Sequence, residues 1–234
     1  MLPQLPLGIS LRESACFDTF IGLGNQQTIA DLKACLAGSG ERYLYLWGPA
    51  GTGKSHLLQA SCRAVQPGSK RVAYVPLSLV DHFTPGILSD LGELDLVCLD
   101  DIHLVCEAPA WESSLFSLFN QLWERRAGLI VSADRPPARL PVQLADLASR
   151  LEWGLSCQLN PLDDVGRLAL LDESAKRRGL HLPKATARYI LSHTARDATS
   201  LLELMERLDL ASLAAQRSKL TIHFVKTVLE PDEI

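Results

Sequence analysis

Gly48-Pro49-Ala50-Gly51-Thr52-Gly53-Lys54-Ser55 is the stretch whose reading decides the fold of this chain. It spells G-x-x-x-x-G-K-S, and each fixed residue has a mechanical task. The glycines let the backbone curl so that successive N–H groups point inward at phosphate oxygens. Lys54 reaches the outer phosphates, and the Ser55 hydroxyl is placed to ligate Mg²⁺. An apolar run at Tyr43–Trp47 predicts a strand leading into the loop. The residues after it predict a helix, whose N-terminal dipole adds to the anion site. Strand, loop and helix in that order separate a phosphate-binding loop from an ordinary glycine-rich turn.

Working outward, four further short runs read as buried strands: Val72–Leu77, Leu94–Leu99, Leu129–Ala133 and Leu155–Leu159. Helices are predicted between them at about 54–65, 78–90 and 111–126. Strands alternating with helices imply βαβ units and a parallel sheet covered on both faces. After Pro161 the strand signal stops. Asp163 can cap a helix that Lys176-Arg177-Arg178 and Gly179 would end. Three more helices are predicted at 183–193, 198–217 and 221–229. The expected organisation is an N-terminal tail over 1–12, an α/β nucleotide-binding domain over 13–160, and a small all-helical lid over 161–234, hinged at Asn160-Pro161.

The chain has 234 residues, 47% of them hydrophobic, so a sizeable core is available. A net charge of −4 excludes a polyelectrolyte partnership with DNA for the chain as a whole. The cysteines, at 16, 35, 62, 98, 106 and 157, form no C-x-x-C pair, which suits neither a disulfide framework nor a zinc site. The first ten residues carry no basic residue and include Pro3 and Pro6, unlike a signal peptide. No apolar run reaches membrane-spanning length. A cytoplasmic protein is expected.

A loop of this kind needs an acid at the tip of another strand to hold Mg²⁺ through water. Leu94-Asp95-Leu96-Val97-Cys98-Leu99-Asp100-Asp101 supplies it, with Asp100 at the tip and Asp101 where a water-activating carboxylate would sit. Ser132 and Asp134 both qualify as the polar group that feels the γ-phosphate at the end of the next strand. Between Arg71 and Arg125 there is no Lys or Arg, while nine acids occupy the interval. Phosphate backbones are gripped through Lys and Arg, so this stretch argues against threading single-stranded DNA.

Several segments resemble the initiator-type AAA+ family, the bacterial replication initiator DnaA and its relatives. They are Trp47–Ser55, Leu99-Asp100-Asp101-Ile102, Ser132-Ala133-Asp134-Arg135-Pro136, Leu147-Ala148-Ser149-Arg150-Leu151-Glu152-Trp153-Gly154 and Leu220-Thr221-Ile222-His223-Phe224-Val225. The resemblance covers about Phe17 to Leu229 and implies a five-stranded parallel AAA+ P-loop domain followed by a helical lid. Initiators continue into a helix-turn-helix, for which this sequence leaves no residues. Tyr43–Trp47, Val75-Pro76-Leu77 and Ala133-Asp134-Arg135-Pro136-Pro137 are similar to the Hda type, regulatory inactivators that make the initiator hydrolyse its ATP when the sliding clamp is on DNA.

That resemblance implies a set of roles. ADP or ATP with Mg²⁺ would be held by Gly48, Pro49, Ala50, Gly51, Thr52, Gly53, Lys54, Ser55, His56, Asp100, Asp101 and Asp134, with Ser55 and Asp100 on the metal. Arg150 is implied as an arginine finger acting on a neighbouring protomer's nucleotide, the alternative being a surface arginine paired with Glu152 or Asp146. Initiators carry an arginine early in the third lid helix. Here Thr199 stands in its place, with Ser200 the next choice and Arg196 three positions early, which suits a held diphosphate better than turnover. Gln4-Leu5-Pro6-Leu7-Gly8-Ile9 resembles the peptide that binds the DNA polymerase III sliding clamp (its beta subunit). Gln4 and Leu7 are the anchors, with Leu5 and Ile9 in support. The expected partners are DnaA and the clamp, with little direct DNA binding, no membrane, and a homodimer left open. The competing reading is a free-standing AAA+ ATPase or loader that turns over its own ATP.

Overall fold

Five apolar runs form strands β1 (Tyr43–Trp47), β2 (Val72–Pro76), β3 (Leu96–Asp100), β4 (Gly128–Ala133) and β5 (Leu155–Gln158). In the computed structural model, which describes residues 11, 15–65, 70–82 and 84–229, they pair in the order β2-β3-β4-β1-β5. All four pairings are parallel. Because both faces are covered, the strands read as continuous apolar runs rather than alternating ones. Tyr43, Tyr45, Val75, Val97, Leu99 and Val131 face one core. It is closed by Leu115, Leu118, Phe119 and Leu122 of α3 (Pro109–Glu124) and by Leu147 and Leu151 of α4 (Ala145–Glu152). Leu44, Leu46, Cys98 and Ile130 face the other, under Leu32 and Cys35 of α1 (Gln26–Ala37) and Leu57, Leu58 and Cys62 of α2 (Lys54–Ala64).

Three expectations are corrected here. The segment predicted as one helix over 78–90 is two 3-10 stretches, Leu77–His82 and Pro85–Glu93. Pro85 has no N–H to continue a helix and forces the preceding Thr84 into extended backbone (φ −102°, ψ 157°). The third strand begins two residues late, because the Leu94 N–H closes the second of those turns on the Leu91 carbonyl at 3.1 Å. Helices α1 and α4 were not anticipated, and the helix predicted over 198–217 ends at Ala214 because Gln216 takes a left-handed φ of 51°.

By contacts the chain divides into two units. The sheet and α1–α4 make the first. The second contains α5 (Asp164–Arg177), α6 (Lys184–His193), α7 (Ala198–Ala214) and α8 (Ile222–Leu229), together with Ile21–Asn25 and Pro49–Gly53. Its core is aliphatic, with Leu171, Ile190, Leu201, Met205, Leu208, Leu220 and Val225 all fully buried. The Asp163 carboxylate caps α5 by accepting from the Gly166 N–H at 2.7 Å, and Gly179 (φ 67°) follows its last turn. Asn25 ties its segment to the second unit through both ends of its amide. It donates to the Asn160 carbonyl at 3.1 Å and accepts from the Asn160 N–H at 2.9 Å.

Gly154 shows how tightly the first core closes at the start of β5. A Cβ there would stand 2.1 Å from the Tyr43 ring. That ring cannot retreat, being buried edge-on against Phe119 with its hydroxyl donating to the Leu151 carbonyl at 3.1 Å. Gly154→Ala is therefore expected to cost about 1–3 kcal/mol by overpacking. Thermal unfolding should show a midpoint lower by several degrees, with far-UV circular dichroism unchanged below it.

Candidate functional site

The phosphate loop leaves β1 at its C-terminal end and enters α2. Gly51 (φ 75°) and Gly53 (φ 90°) take the left-handed backbone that turns the chain on itself. The Thr52 hydroxyl donates to the Pro49 carbonyl at 2.9 Å and braces the curl. Lys54 is buried, and its Nζ donates to the Gly48 carbonyl at 2.8 Å. Burial lowers the Lys54 pKa, while Asp101, Asp100 and Asp134 pull it back up. The Ser55 hydroxyl is half-buried in the first turn of α2 with no hydrogen-bond partner among the described residues. The His56 imidazole points elsewhere: its Nε2 lies 2.9 Å from the Cys16 carbonyl and 3.3 Å from the Thr19 hydroxyl. Through that side chain His56 fastens α2 to the segment preceding α1.

Asp100 ends β3 almost wholly buried. Tyr74, on β2, donates its hydroxyl to one carboxylate oxygen at 2.7 Å. The fully buried Ser132, on β4, donates to the other. The Ser132 oxygen in turn accepts the Asp101 N–H at 2.8 Å. Gln59 of α2 donates to the Tyr74 hydroxyl at 3.3 Å. Burial, then the neighbouring Asp100, holds the Tyr74 phenol far above its ordinary range, so it stays a donor. Ser132 is thus spent on holding Asp100, which leaves Asp134, exposed beyond the end of β4, as the polar group at that tip. Tyr74 and Gln59 were missed from the sequence, since a tyrosine within an apolar strand looks like core.

Asp101 sits in left-handed backbone (φ 59°, ψ 51°), which Asp tolerates better than most residues. Burial, and after it Asp100, raises its pKa. Asp134 moves the other way, lowered chiefly by its bidentate pair with Arg135 at 2.7 Å. His103 Nδ1 lies 4.0 Å from both Asp101 and Asp134. Among the described residues it is the one buried side-chain polar atom with no hydrogen-bond partner.

Arg150 stands away from this cluster. It lies in the last turn of α4, just before β5, and β5 starts opposite Leu44, near the beginning of β1. Lys54 and Asp100 follow the other ends of their strands. A five-residue strand spans about 16 Å, so Arg150 and the acid–lysine cluster occupy opposite ends of the sheet. Its guanidinium lies 3.9 Å from the centroid of the Trp153 ring, and it forms no ion pair with Glu152 or Asp146. Trp153 and its neighbour Trp123 are both 54% exposed. A cavity of about 370 Å³ opens beside Trp123 at this same end, lined by Arg42, Tyr43, Phe119 and Arg126, away from the phosphate loop.

In the second unit, Thr199 is exposed in the first turn of α7. Asp197 caps that helix by accepting the Ser200 N–H at 2.9 Å. A Cβ on Gly51 would meet the Asp197 Cβ at 2.9 Å. Arg196 is turned back on its own unit, donating to the Leu191 carbonyl at 3.3 Å and lying 3.6 Å from Asp164. Gln4, Leu5, Leu7 and Ile9 lie outside the described residues.

A family model described as the bacterial DnaA ATPase domain matches residues 11–158, and one described as the Hda lid domain matches residues 164–229. The chain belongs to the bacterial DnaA ATPase-domain family. With that lid, it is an Hda-like, DnaA-related AAA+ protein. Domain III of the replication initiation protein DnaA from Thermotoga maritima shares the fold, with a TM-score of 0.81 at 22% identity over 95% of this chain and 98% of that one. AMPPCP-bound DnaA from Aquifex aeolicus superposes with a TM-score of 0.74 at 26% identity over 88% of this chain and 68% of that one. The RuvB Holliday junction branch migration motor of Thermotoga maritima shares the fold at 18% identity, with a TM-score of 0.70 over 93% and 72% of the two chains. No helix among the described residues is long and apolar enough to cross a membrane.

The raised pKa of Asp101 gives a signed expectation. The folded state disfavours its charged form, so ionisation costs stability above the folded pKa and nothing below the unfolded one. Asp101→Asn keeps a residue that tolerates left-handed backbone and removes that cost. In thermal unfolding, its midpoint should exceed that of the parent at pH 7, and the gap should close as pH falls through the carboxylate range.

Proposed function

We propose that this chain is a regulator of replication initiation which, with the DNA-loaded sliding clamp, drives hydrolysis of the ATP bound to the initiator DnaA and so prevents re-initiation. One observation carries the reading. Arg150 stands at the end of the sheet opposite the chain's own Lys54 and Asp100, stacked on an indole and, among the described residues, unpaired with any carboxylate. Such a guanidinium cannot serve its own phosphate loop, but it is presented for a loop on another molecule. There it would stabilise the negative charge that builds up as water attacks the γ-phosphorus and the bond to the bridging oxygen breaks, an effect worth roughly 10³–10⁵ in rate in GTPase systems.

The chain's own nucleotide, ADP or ATP, belongs to Gly48–Ser55. Left-handed Gly51 and Gly53 make the cradle, and buried Lys54 supplies the cation. The unpartnered Ser55 hydroxyl and the Asp100 carboxylate suit Mg²⁺, which would offset the acids that crowd Lys54. When bound, the nucleotide supplies phosphates that join the loop to its surroundings. Thr199 in place of a lid arginine argues that this ligand is held rather than turned over. Gln4, Leu5, Leu7 and Ile9 would recruit the clamp through an extended peptide.

The test loads the initiator with labelled ATP, adds clamp on DNA, and follows hydrolysis with and without this chain. Arg150→Ala is expected to lower stimulated hydrolysis by at least about 10²-fold while nucleotide and clamp binding persist. Gln4→Ala should weaken clamp binding and lower stimulation only where clamp is limiting. A wild-type chain that leaves initiator-bound ATP intact, or an Arg150→Ala chain with undiminished stimulation, refutes the proposal.

A further inference from the structure

Helix α4 carries Arg150 on only eight residues, and its N-cap is Leu144, which has no polar side chain to satisfy the orphan N–H groups. The cap comes from another helix. Glu112, in the first turn of α3, sends its carboxylate to the segment entering α4. One oxygen accepts the Leu144 N–H at 2.7 Å and the other the Gln143 N–H at 3.0 Å. That second oxygen also accepts the Glu107 N–H at 2.9 Å. Glu112 is 1% exposed and, among the described residues, pairs with no Lys, Arg or His. A buried carboxylate without a cation is costly unless its lone pairs are filled. Here backbone N–H groups fill them, and the positive ends of α3 and α4 converge on the charge.

We infer that Glu112 is a positioning residue for Arg150, setting the direction in which α4 delivers the guanidinium to a partner. The inference rests on the reading of Arg150 given above. Every contact of the Glu112 carboxylate is an accepted one, so the site demands an acceptor on both oxygens. A glutamine would turn an NH₂ group onto a backbone N–H. The last turn of α4 is held separately, by the Tyr43 hydroxyl on the Leu151 carbonyl and by buried Leu151. Release of the Glu112 end would tilt the helix axis about that fixed turn and re-aim the long Arg150 side chain, and about an ångström of misplacement at a reacting centre can cost on the order of 10² in rate.

The experiment compares full-length wild type, Glu112→Gln, Arg150→Ala and the double variant, with rates normalised to folded chain. In single-turnover hydrolysis of initiator-bound ATP at saturating chain, Glu112→Gln should fall about 10–100-fold, with nucleotide and clamp affinity unchanged. The double variant should be no slower than Arg150→Ala alone, since Glu112 acts only through that arginine. A wild-type rate in Glu112→Gln, or a further loss in the double variant, overturns the inference. Glu112→Asp, which keeps the charge one methylene short, should be intermediate and substitutes if the glutamine variant does not fold. Tryptophan emission gives a readout independent of hydrolysis, because Arg150 stacks on Trp153. Glu112→Gln should reproduce part of the emission change that Arg150→Ala causes, and an unaltered spectrum overturns the positioning role even if the chain stimulates nothing. A wild-type chain without stimulation refutes the proposed function instead.

Discussion

Asp100 is a carboxylate buried at the tip of a strand, and the whole upper edge of the sheet is arranged around keeping it there. Its two oxygens are filled from two sides, by Tyr74 on β2 and Ser132 on β4. That is possible because β3 lies between those strands in parallel register, Pro76 opposite Asp100 and Leu99 opposite Val131. A strand order that parted β3 from β2 or β4 would bury the charge without one of its donors, at a cost of several kcal/mol. The same hydroxyl of Ser132 receives the Asp101 N–H and so holds Asp101 in its left-handed turn. One buried acid thereby links strand order, backbone geometry and the placing of its neighbouring carboxylate. Lys54 arrives from β1 on the far side of β4, where Asp101, Asp100 and Asp134 raise its pKa against the effect of burial.

A parallel sheet has two unlike ends, and this chain uses both. The C-terminal ends of the strands carry the phosphate loop and the acids, as ligand sites of α/β sheets generally do. The N-terminal ends carry an aromatic shelf: Tyr43 edge-on to Phe119, Phe119 stacked on Trp123, and Trp123 against Trp153 under Arg150. Gly154 is needed there for a packing reason, since only a residue without Cβ leaves room for the Tyr43 ring. The residues around Arg150 thus serve the core on one side and present a cation on the other.

Much of this was legible in the residues because strands in a two-sided sheet announce themselves. Tyr43–Trp47 and Leu96–Asp100 are apolar at every position up to the acid, and the phosphate loop follows its strand at once. The first lid helix was legible from Asp163 and Gly179, which cap and stop it by chemistry local to the chain. What failed was what depends on neighbours distant in sequence. The stretch 78–90 has helical spacing, but Pro85 breaks its hydrogen bonding. Helix α1 buries only Thr28, Leu32 and Cys35, too few to stand out among its polar residues. Ser132 read as a sensor of phosphate because nothing in its own segment reveals that Asp100 claims it. Glu112 looked like one more acid on a solvated face, and only the packing of α3 against the entry to α4 makes it a buried cap.

The second unit bears on whether the chain holds its nucleotide or spends it. In this unit the middle of the phosphate loop meets the head of α7, and the residue it meets is an acid: Gly51 lies within close contact of Asp197. The Asp197 carboxylate is held below its ordinary range, first by the Ser200 N–H that it caps, so it stays ionised near neutrality. From Arg196 to Leu201 the single cation is Arg196, and it is bound to the Leu191 carbonyl and close to Asp164. The lid therefore brings a fixed negative charge, and no arginine, to the loop. Catalysis of phosphoryl transfer works by placing positive charge where negative charge develops. Asp197 and Thr199 add nothing of that kind, and within the second unit Asp197 lies close against Gly51 at a capped helix start. An acid and a threonine at this helix start fit the proposed reading of a held nucleotide better than one of turnover.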